Sequence, residues 1–461
     1  MGKQEILTEA NAPKGVSGDG SEGWRLAPGR PSLSEVHSTI HVPRGGPAWR
    51  RLLAFIGPGY LIAVGYMDPG NWATDLGGGA AFNYKLLSVV LISSLMAVFL
   101  QALSAKLGIV TGRDLAQACR DSYSKSASIC LWISAEIAIA ACDVAEVIGA
   151  AIALELLFGL PLIYGVVLTA ADVLLVLALQ HRGFRIIEAF VITLIGTMMV
   201  IFGIELFYAK PNWHGVLTGF VPSMEIVRNH EMLYIGLGIL GATVMPHNLY
   251  LHSSIVQTRR FGKSFEQIKE AIKHSYIDST IALTLALFVN AAILIVAAAA
   301  FFRAGMHNVA EIQDAYKLLT PLLGVSIATP LFAVALLASG QNSTLTGTLA
   351  GQVIMEGFLH FQMKPWMRRM VSRLIAIIPA VFAVYVYGEK GLSNLIILSQ
   401  VVLSVQLSFA VIPLIQFTSD PKKMGAFVNG IATRAVGWTM AAVIAVLNAY
   451  LVWTTLFPAK S

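Results

Sequence analysis

Eleven apolar runs follow one another along the chain, at about 52–77, 85–108, 128–157, 161–180, 186–208, 233–257, 276–302, 322–347, 371–387, 392–417 and 434–457. Each is long enough to cross a hydrocarbon layer roughly 30 Å thick as a helix. Inside a bilayer every backbone N–H and C=O must find its partner within the protein, and a helix satisfies its own. The runs therefore predict an all-α membrane protein of eleven transmembrane helices. Composition agrees: 56% of residues are hydrophobic and 13% charged, whereas a soluble domain carries about 25% charged residues.

The basic residues set the topology. With the N-terminus on the cytoplasmic side, 25 Lys and Arg fall inside and 7 outside, a strong positive-inside bias. An odd number of spans then puts the C-terminus outside. The net charge of +6 tracks loop sidedness instead of forming one patch, which argues against a nucleic-acid partner. Residues 1–47 are polar and rich in Gly, Pro and Ser; they read as a disordered cytosolic tail ahead of a transmembrane transporter domain, 48–461. No apolar stretch follows Met1, so the first span is expected to act as the insertion signal. Cys119, Cys130 and Cys142 have neither metal-ligand spacing nor the look of a disulfide framework.

Two of the runs are interrupted. Asp68-Pro69-Gly70-Asn71 breaks the first and Met245-Pro246-His247-Asn248 the sixth. Pro and Gly interrupt helices, and a carboxylate inside a span is costly unless it is used. Five spans separate the two breaks. Five is odd, so the broken helices run in opposite directions, and spans 1–5 and 6–10 are expected to form an inverted repeat with span 11 appended. Transporters of that build bind their cargo between discontinuous helices. A lone Pro is ordinary in a membrane helix; here each break also carries ligating side chains.

A broken helix exposes carbonyls and N–H groups that need partners. The first break adds the Asp68 carboxylate and the Asn71 amide oxygen. The second adds the Met245 thioether and the His247 imidazole. The carbonyls of Gly65 and Ala242 stand one turn before Asp68 and Met245 and can join them. Oxygen ligands alone suit magnesium or calcium. A soft thioether shifts the preference toward manganese or ferrous iron, with cadmium as an impostor.

At these residues the chain resembles the Nramp family of proton-coupled divalent metal transporters, and is similar to the bacterial manganese transporters within it. Asp68-Pro69-Gly70-Asn71 and Ala242-Thr243-Val244-Met245-Pro246-His247 resemble two signature elements. Gly351-Gln352-Val353-Ile354-Met355-Glu356-Gly357, read as a loop before span nine, resembles a third, and Leu398-Ser399-Gln400-Val401 also matches. The resemblance implies a LeuT-like fold with discontinuous helices 1 and 6. It implies metal ligation by Asp68, Asn71 and Met245 with the carbonyls of Gly65 and Ala242, the approach of Gln400, and a polar gate residue at Asn290. It further implies alternating-access uptake of manganese, and also of ferrous iron and cadmium, across the cell (inner) membrane. Protons are the coupled ion; no cofactor and no obligate protein partner is implied. Many relatives have Ala where Gly65 stands, and Pro where Ser408 stands.

Span three carries Glu136, Asp143 and Glu146 on one face. Such carboxylates avoid lipid and should line the bundle interior. Arg368, Arg369 and Arg373 at the start of span nine offer partners. In the family, the carboxylates matching Asp143 and Glu146 and an arginine of this cluster lie on a proton route. His247, which titrates near neutral pH when unperturbed, can relay protons beside the break; His252, further along the same helix, is a second candidate. The rival reading is a sodium- or proton-coupled amino-acid symporter of the same architecture. There a broken helix presents N–H groups to a substrate carboxylate, and Asp68 and Met245 argue against an anion at this break. An enzyme is not expected: no His-Glu-x-x-His motif or activated nucleophile is present.

Overall fold

The computed structural model describes residues 23–43, 47–171, 183–307, 312–323, 328–359, 365–387 and 391–456. The principal helices, in chain order, are α1 (Ala48–Phe55), α2 (Pro58–Gly65), α3 (Pro69–Phe82), α4 (Leu87–Thr111), α5 (Leu115–Ser122), α6 (Lys125–Phe158), α7 (Leu162–Leu168), α8 (Phe184–Ala209), α9 (His230–Thr243), α10 (Pro246–Ile255), α11 (Phe265–Ala297), α12 (Ile312–Leu323), α13 (Ala328–Leu359), α14 (Pro365–Tyr387), α15 (Leu392–Thr418), α16 (Pro421–Met424) and α17 (Ile431–Leu456). Among the described residues, seven stretches are long and apolar enough to cross a membrane. Of the other expected spans, the first is divided between α2 and α3; α3 is counted with the second in the stretch Pro69–Thr111, where Asn83, at positive φ, separates it from α4. The fourth is described only to residue 171, and the eighth and ninth coincide with α13 and α14. Gly351–Gly357, expected as a loop, forms part of the last turns of α13.

Both breaks are real interruptions with local causes. Helix α2 ends at Gly65 and tightens through Tyr66 and Met67, whose N–H groups reach back to Ala63 and Val64. Asp68 then caps α3: its Oδ1 accepts the Asn71 N–H at 2.8 Å, with Pro69 at the first helical position, where a missing N–H costs nothing. In the second break Val244 leaves helical geometry and Met245 is extended before Pro246 opens α10. The four half-helices lie in the middle of the bundle. Helix α3 packs on α9 and α11, α10 on α4 and α13, and α6 runs along α13 and α15. Trp72 sits edge-on between Phe202 (4.9 Å) and Phe332 (5.0 Å). Gly241 lets α9 touch α15 backbone to backbone, because a Cβ there would run into the Gln400 carbonyl oxygen.

An ionic latch that the sequence reading did not identify holds the start of α2. Arg259, fully buried, donates to Glu188 at 2.6 Å and to the carbonyls of Ala54 (3.3 Å) and Ile56 (2.8 Å). Asp278 accepts the N–H groups of Gly57 (3.2 Å) and Gly59 (2.7 Å). Arg259→Ala is expected to cost about 1–3 kcal/mol, because it unmakes a buried charge-assisted bond and two carbonyl bonds while Arg185 still holds Glu188 at 3.1 Å, read as a lower thermal midpoint in detergent. Arg259→Lys should recover only part, because an ammonium cannot span all three acceptors.

Residues 23–43, expected to belong to a disordered tail, are packed. The Trp24 ring lies 4.4 Å from the Arg113 guanidinium and 3.9 Å from the Lys423 ammonium. The Ser32 hydroxyl donates to Asp114 at 2.7 Å, and the Leu33 N–H to Glu356 at 3.0 Å. Strand β1 (Ile40–His41) pairs in parallel with β2 (Arg259–Arg260) just beyond α10. The segment thus straps α5, α10, α13 and α16 at one end of the bundle. Residues 1–22 lie outside the described residues.

Candidate metal centre

The prolines decide which backbone atoms are free at the breaks. In a helix the carbonyl of residue i accepts from the N–H of residue i+4. For Gly65 that residue is Pro69, and for Ala242 it is Pro246. Neither proline has an N–H. The two carbonyls named from the sequence are therefore those that the breaks deprive of helical donors.

The side chains converge on them. Asp68 is fully buried; its Oδ1 takes the Asn71 backbone N–H and, at 2.9 Å, the Asn71 Nδ2–H. Its Oδ2 meets no hydrogen-bond partner among the described residues. Asn71 Nδ2 also donates to the Ala242 carbonyl at 3.2 Å, so it bridges the two breaks. Asn290 Nδ2 donates to the Tyr66 carbonyl at 2.9 Å and to Asn71 Oδ1 at 3.3 Å. Met245 is buried, with Asn248 Nδ2 at 3.6 Å from its sulfur. Gly65 lies against the same pair: a Cβ there would stand 3.4 Å from Met245 Sδ and collide with the Asn248 amide nitrogen. Gln400 is seated on Gly70, where a Cβ would strike its amide, and its Oε1 is buried without a partner among the described residues.

One carboxylate, amides, a thioether and two carbonyls therefore meet at one buried place, and several acceptor atoms there lack protons to accept. Amide N–H groups of Asn71 and Asn248 now face the Asp68 oxygen, the Ala242 carbonyl and the Met245 sulfur. A cation would draw on the same acceptors, and Asn71 would offer its oxygen only after a half-turn of its amide. No group of three His, Cys, Asp or Glu able to hold a metal occurs among the described residues. The donor set is mixed and carries little charge, which suits an ion that must leave again better than a resident one.

The other expected residues separate into five groups. His247 is buried beside Met245, and neither ring nitrogen meets a partner among the described residues. His252 bonds Gln101 at 3.0 Å, and Gln101 donates to the Tyr66 hydroxyl at 2.6 Å, closing a buried network beneath the first break. Glu146 accepts from Ser343 (2.6 Å) and Thr344 (3.1 Å) of α13, and a Cβ at Gly347 would lie 3.6 Å from Asp143 and 3.2 Å from Glu146. The two acids thus share the α6–α13 seam. Glu136 is half-buried and accepts the Trp132 indole N–H on its own helix at 3.0 Å. The side chains of Arg368, Arg369 and Arg373 lie outside the described residues.

Tyr66, Gln101, Ser343 and Thr344 were not singled out from the sequence, and Asn248 was named only as part of the second break. A polar residue such as Gln101 inside an apolar run was the available signal.

Two interrupted helices whose breaks face each other across a buried polar centre define a membrane transporter with a LeuT-like fold. Mhp1, a nucleobase-cation-symport-1 family transporter solved in a closed conformation, shares that fold at 17% identity, with a TM-score of 0.58 over 92% of this chain and 96% of that one. The chain belongs to the Nramp family: the model described as natural resistance-associated macrophage protein-like matches residues 59–454. It is 61% identical over 435 residues to the divalent metal cation transporter MntH of Listeria monocytogenes serotype 4a, covering 94% of this chain and 97% of that one. It also resembles the Eremococcus coleocola manganese transporter in crystal form, at 42% identity and a TM-score of 0.85, over 94% of this chain and 93% of that one.

Proposed function

We propose that this protein carries divalent transition-metal ions, manganese foremost and also ferrous iron and cadmium, across the cell (inner) membrane by alternating access with protons as the coupled ion. The observation that carries the reading is the buried Asp68 Oδ2, which meets no hydrogen-bond partner among the described residues, at a break that Asn71 bridges to the Ala242 carbonyl of the other. A buried carboxylate left unpaired is costly, and a divalent cation relieves that cost. In this reading Asp68, Asn71, Met245, Gly65, Ala242 and Gln400 hold the ion in turn, and Asn290 gates it. An amino-acid substrate is disfavoured because its carboxylate would face Asp68.

The topology proposed is eleven spans in an inverted repeat, with the N-terminus cytoplasmic and the C-terminus outside. The packing of α6 on α13, the third and eighth expected spans, supports the repeat. With that orientation the Tyr66–Gln101–His252 network and the 23–43 strap both lie on the cytoplasmic side of the site. Asp143 and Glu146 on the α6–α13 seam, with His247, form the proton route proposed here; Glu136, His252 and Arg368, Arg369 and Arg373 extend it toward the cytoplasm. The membrane potential favours uptake: a divalent ion moving inward across 100 mV gains roughly 4.6 kcal/mol.

The test is uptake into proteoliposomes with internal metal and internal pH recorded together. Manganese-driven acidification in the wild type is the expected result; saturable amino-acid flux without metal flux would overturn it. Glu146→Gln should cut acidification more than manganese binding, because Glu146 accepts from Ser343 and Thr344 and lies outside both break motifs. Calorimetry showing lost manganese affinity with acidification intact would remove Glu146 from the proton route.

A further inference from the structure

A groove of about 570 Å³ opens on the flank of the molecule between α4, α11 and α17. Leu95, Val98, Phe99 and Leu103 form its apolar wall, and Lys106, Lys269 and Lys273 gather at one end. The three cations meet because α4 and α11 pack together, with Lys106 in the last turns of α4 and Lys269 and Lys273 one turn apart at the start of α11.

The dimensions are those of one lipid leaflet. Leu95 and Lys106 are eleven residues apart, roughly 16 Å of helix, against about 15 Å for half a hydrocarbon core. An acyl chain laid on the wall would place its headgroup among the lysines. Among the described residues no carboxylate pairs with these charges. Asn429 Oδ1 fixes the Lys106 ammonium, a neutral contact. Among the described residues Lys269 and Lys273 form no ion pair, and Glu270, on the same helix, is bound by Arg51 at 2.6 Å.

We propose that the α4–α11–α17 groove is a binding site for an anionic phospholipid, its phosphate held by Lys106, Lys269 and Lys273 and an acyl chain lying along Leu95–Leu103. Basic pockets between membrane helices on the cytoplasmic side recognise such headgroups. Inorganic phosphate would satisfy the lysines and leave the wall bare. A zwitterionic lipid would cover the wall and bring a cation of its own to the lysines. That the lipid comes from the inner leaflet rests on the orientation proposed above.

Native mass spectrometry of the full chain, titrated with phosphatidylglycerol, with phosphatidylcholine of the same acyl chains and with inorganic phosphate, tests the site. The wild type is expected to retain phosphatidylglycerol in preference to phosphatidylcholine, and phosphate alone should not displace it. The triple variant Lys106→Gln, Lys269→Gln, Lys273→Gln should lose on the order of a hundredfold in phosphatidylglycerol affinity, about fivefold per cation, with phosphatidylcholine unaffected. The triple Lys→Arg variant should keep the preference, which separates loss of charge from loss of fold. Equal retention of both lipids, full displacement by phosphate, or a triple Gln variant that binds as before would each overturn the site. Sidedness is read separately: Lys269→Cys in oriented vesicles should react with an impermeant maleimide from the cytoplasmic side. Labelling from the outer side would refute the orientation while leaving the lipid result standing.

Discussion

Asp68→Asn is expected to abolish metal uptake and to leave the protein folded and no less stable to heat. Asn caps a helix as well as Asp does, so its amide oxygen keeps the Asn71 N–H that Asp68 Oδ1 accepts at 2.8 Å. The substitution removes a buried charge whose second oxygen has no partner among the described residues, a defect worth about 1–3 kcal/mol or more. Stability therefore has no need of this carboxylate; binding does. Groups that only orient metal ligands cost about 10–100-fold in affinity when lost. Asp68 is the one carboxylate within the two break motifs, and its loss should cost more than that. Two measurements check the claim. Uptake by the variant should fall by more than roughly a hundredfold. Manganese should raise the thermal midpoint of the wild type, because it binds only the folded protein, and should not move that of the variant. An Asp68→Asn protein that still takes up manganese near the wild-type rate, with its midpoint still shifted by the ion, would end the assignment.

Met245→Ala is expected to change which ions are admitted more than whether manganese is. Removing the thioether leaves oxygens from Asp68, Asn71, Gly65, Ala242 and Gln400. Manganese accepts oxygen coordination, and cadmium gains most from sulfur. Competition by cadmium against manganese uptake should weaken by on the order of tenfold, the equivalent of about 1.4 kcal/mol. Calcium and magnesium should begin to compete. The buried cavity will also lower stability by about 2–5 kcal/mol, so the midpoint must be measured beside the competition to keep packing and selectivity apart. If cadmium competes as before and calcium stays excluded, Met245 is a packing residue.

A Gly65→Ala exchange would meet a local obstacle. The Asn248 amide nitrogen occupies the place a Cβ would need. The carbonyl that faces the site is unaffected by that exchange, so the ligand set does not depend on it.

How much was legible depended on how far apart the interacting groups stand in the chain. Helix breaks are local events. Pro69 and Pro246 each remove one N–H, and the carbonyl that loses it is four residues back. Asp68, Asn71, Gly65, Ala242 and Met245 could therefore be named before any packing was known. Apolar runs likewise declare themselves, because lipid allows a single-span backbone no other way to satisfy its polar groups.

Other features needed the folded molecule. The 23–43 segment has the polar, Gly- and Pro-containing composition of a tail. Nothing in it shows that Ser32 will reach Asp114, 82 residues on, or that Leu33 will reach Glu356, 323 residues on. The Arg259–Glu188 pair and the Asp278 bonds to Gly57 and Gly59 join residues from distant helices. So does the Tyr66–Gln101–His252 network. Span three shows the division within one helix. Periodicity puts Glu136, Asp143 and Glu146 on one face, yet only packing gives Glu146 the hydroxyls of Ser343 and Thr344 and leaves Glu136 half-buried beside Trp132. The sequence alone determined that this chain is a bundle of membrane helices with two breaks, a carboxylate at one and a thioether at the other, because those outcomes follow from covalent geometry and solvent. Only the tertiary structure decided which polar groups share a hydrogen bond across the bundle, because that depends on distances between helices that no local rule sets.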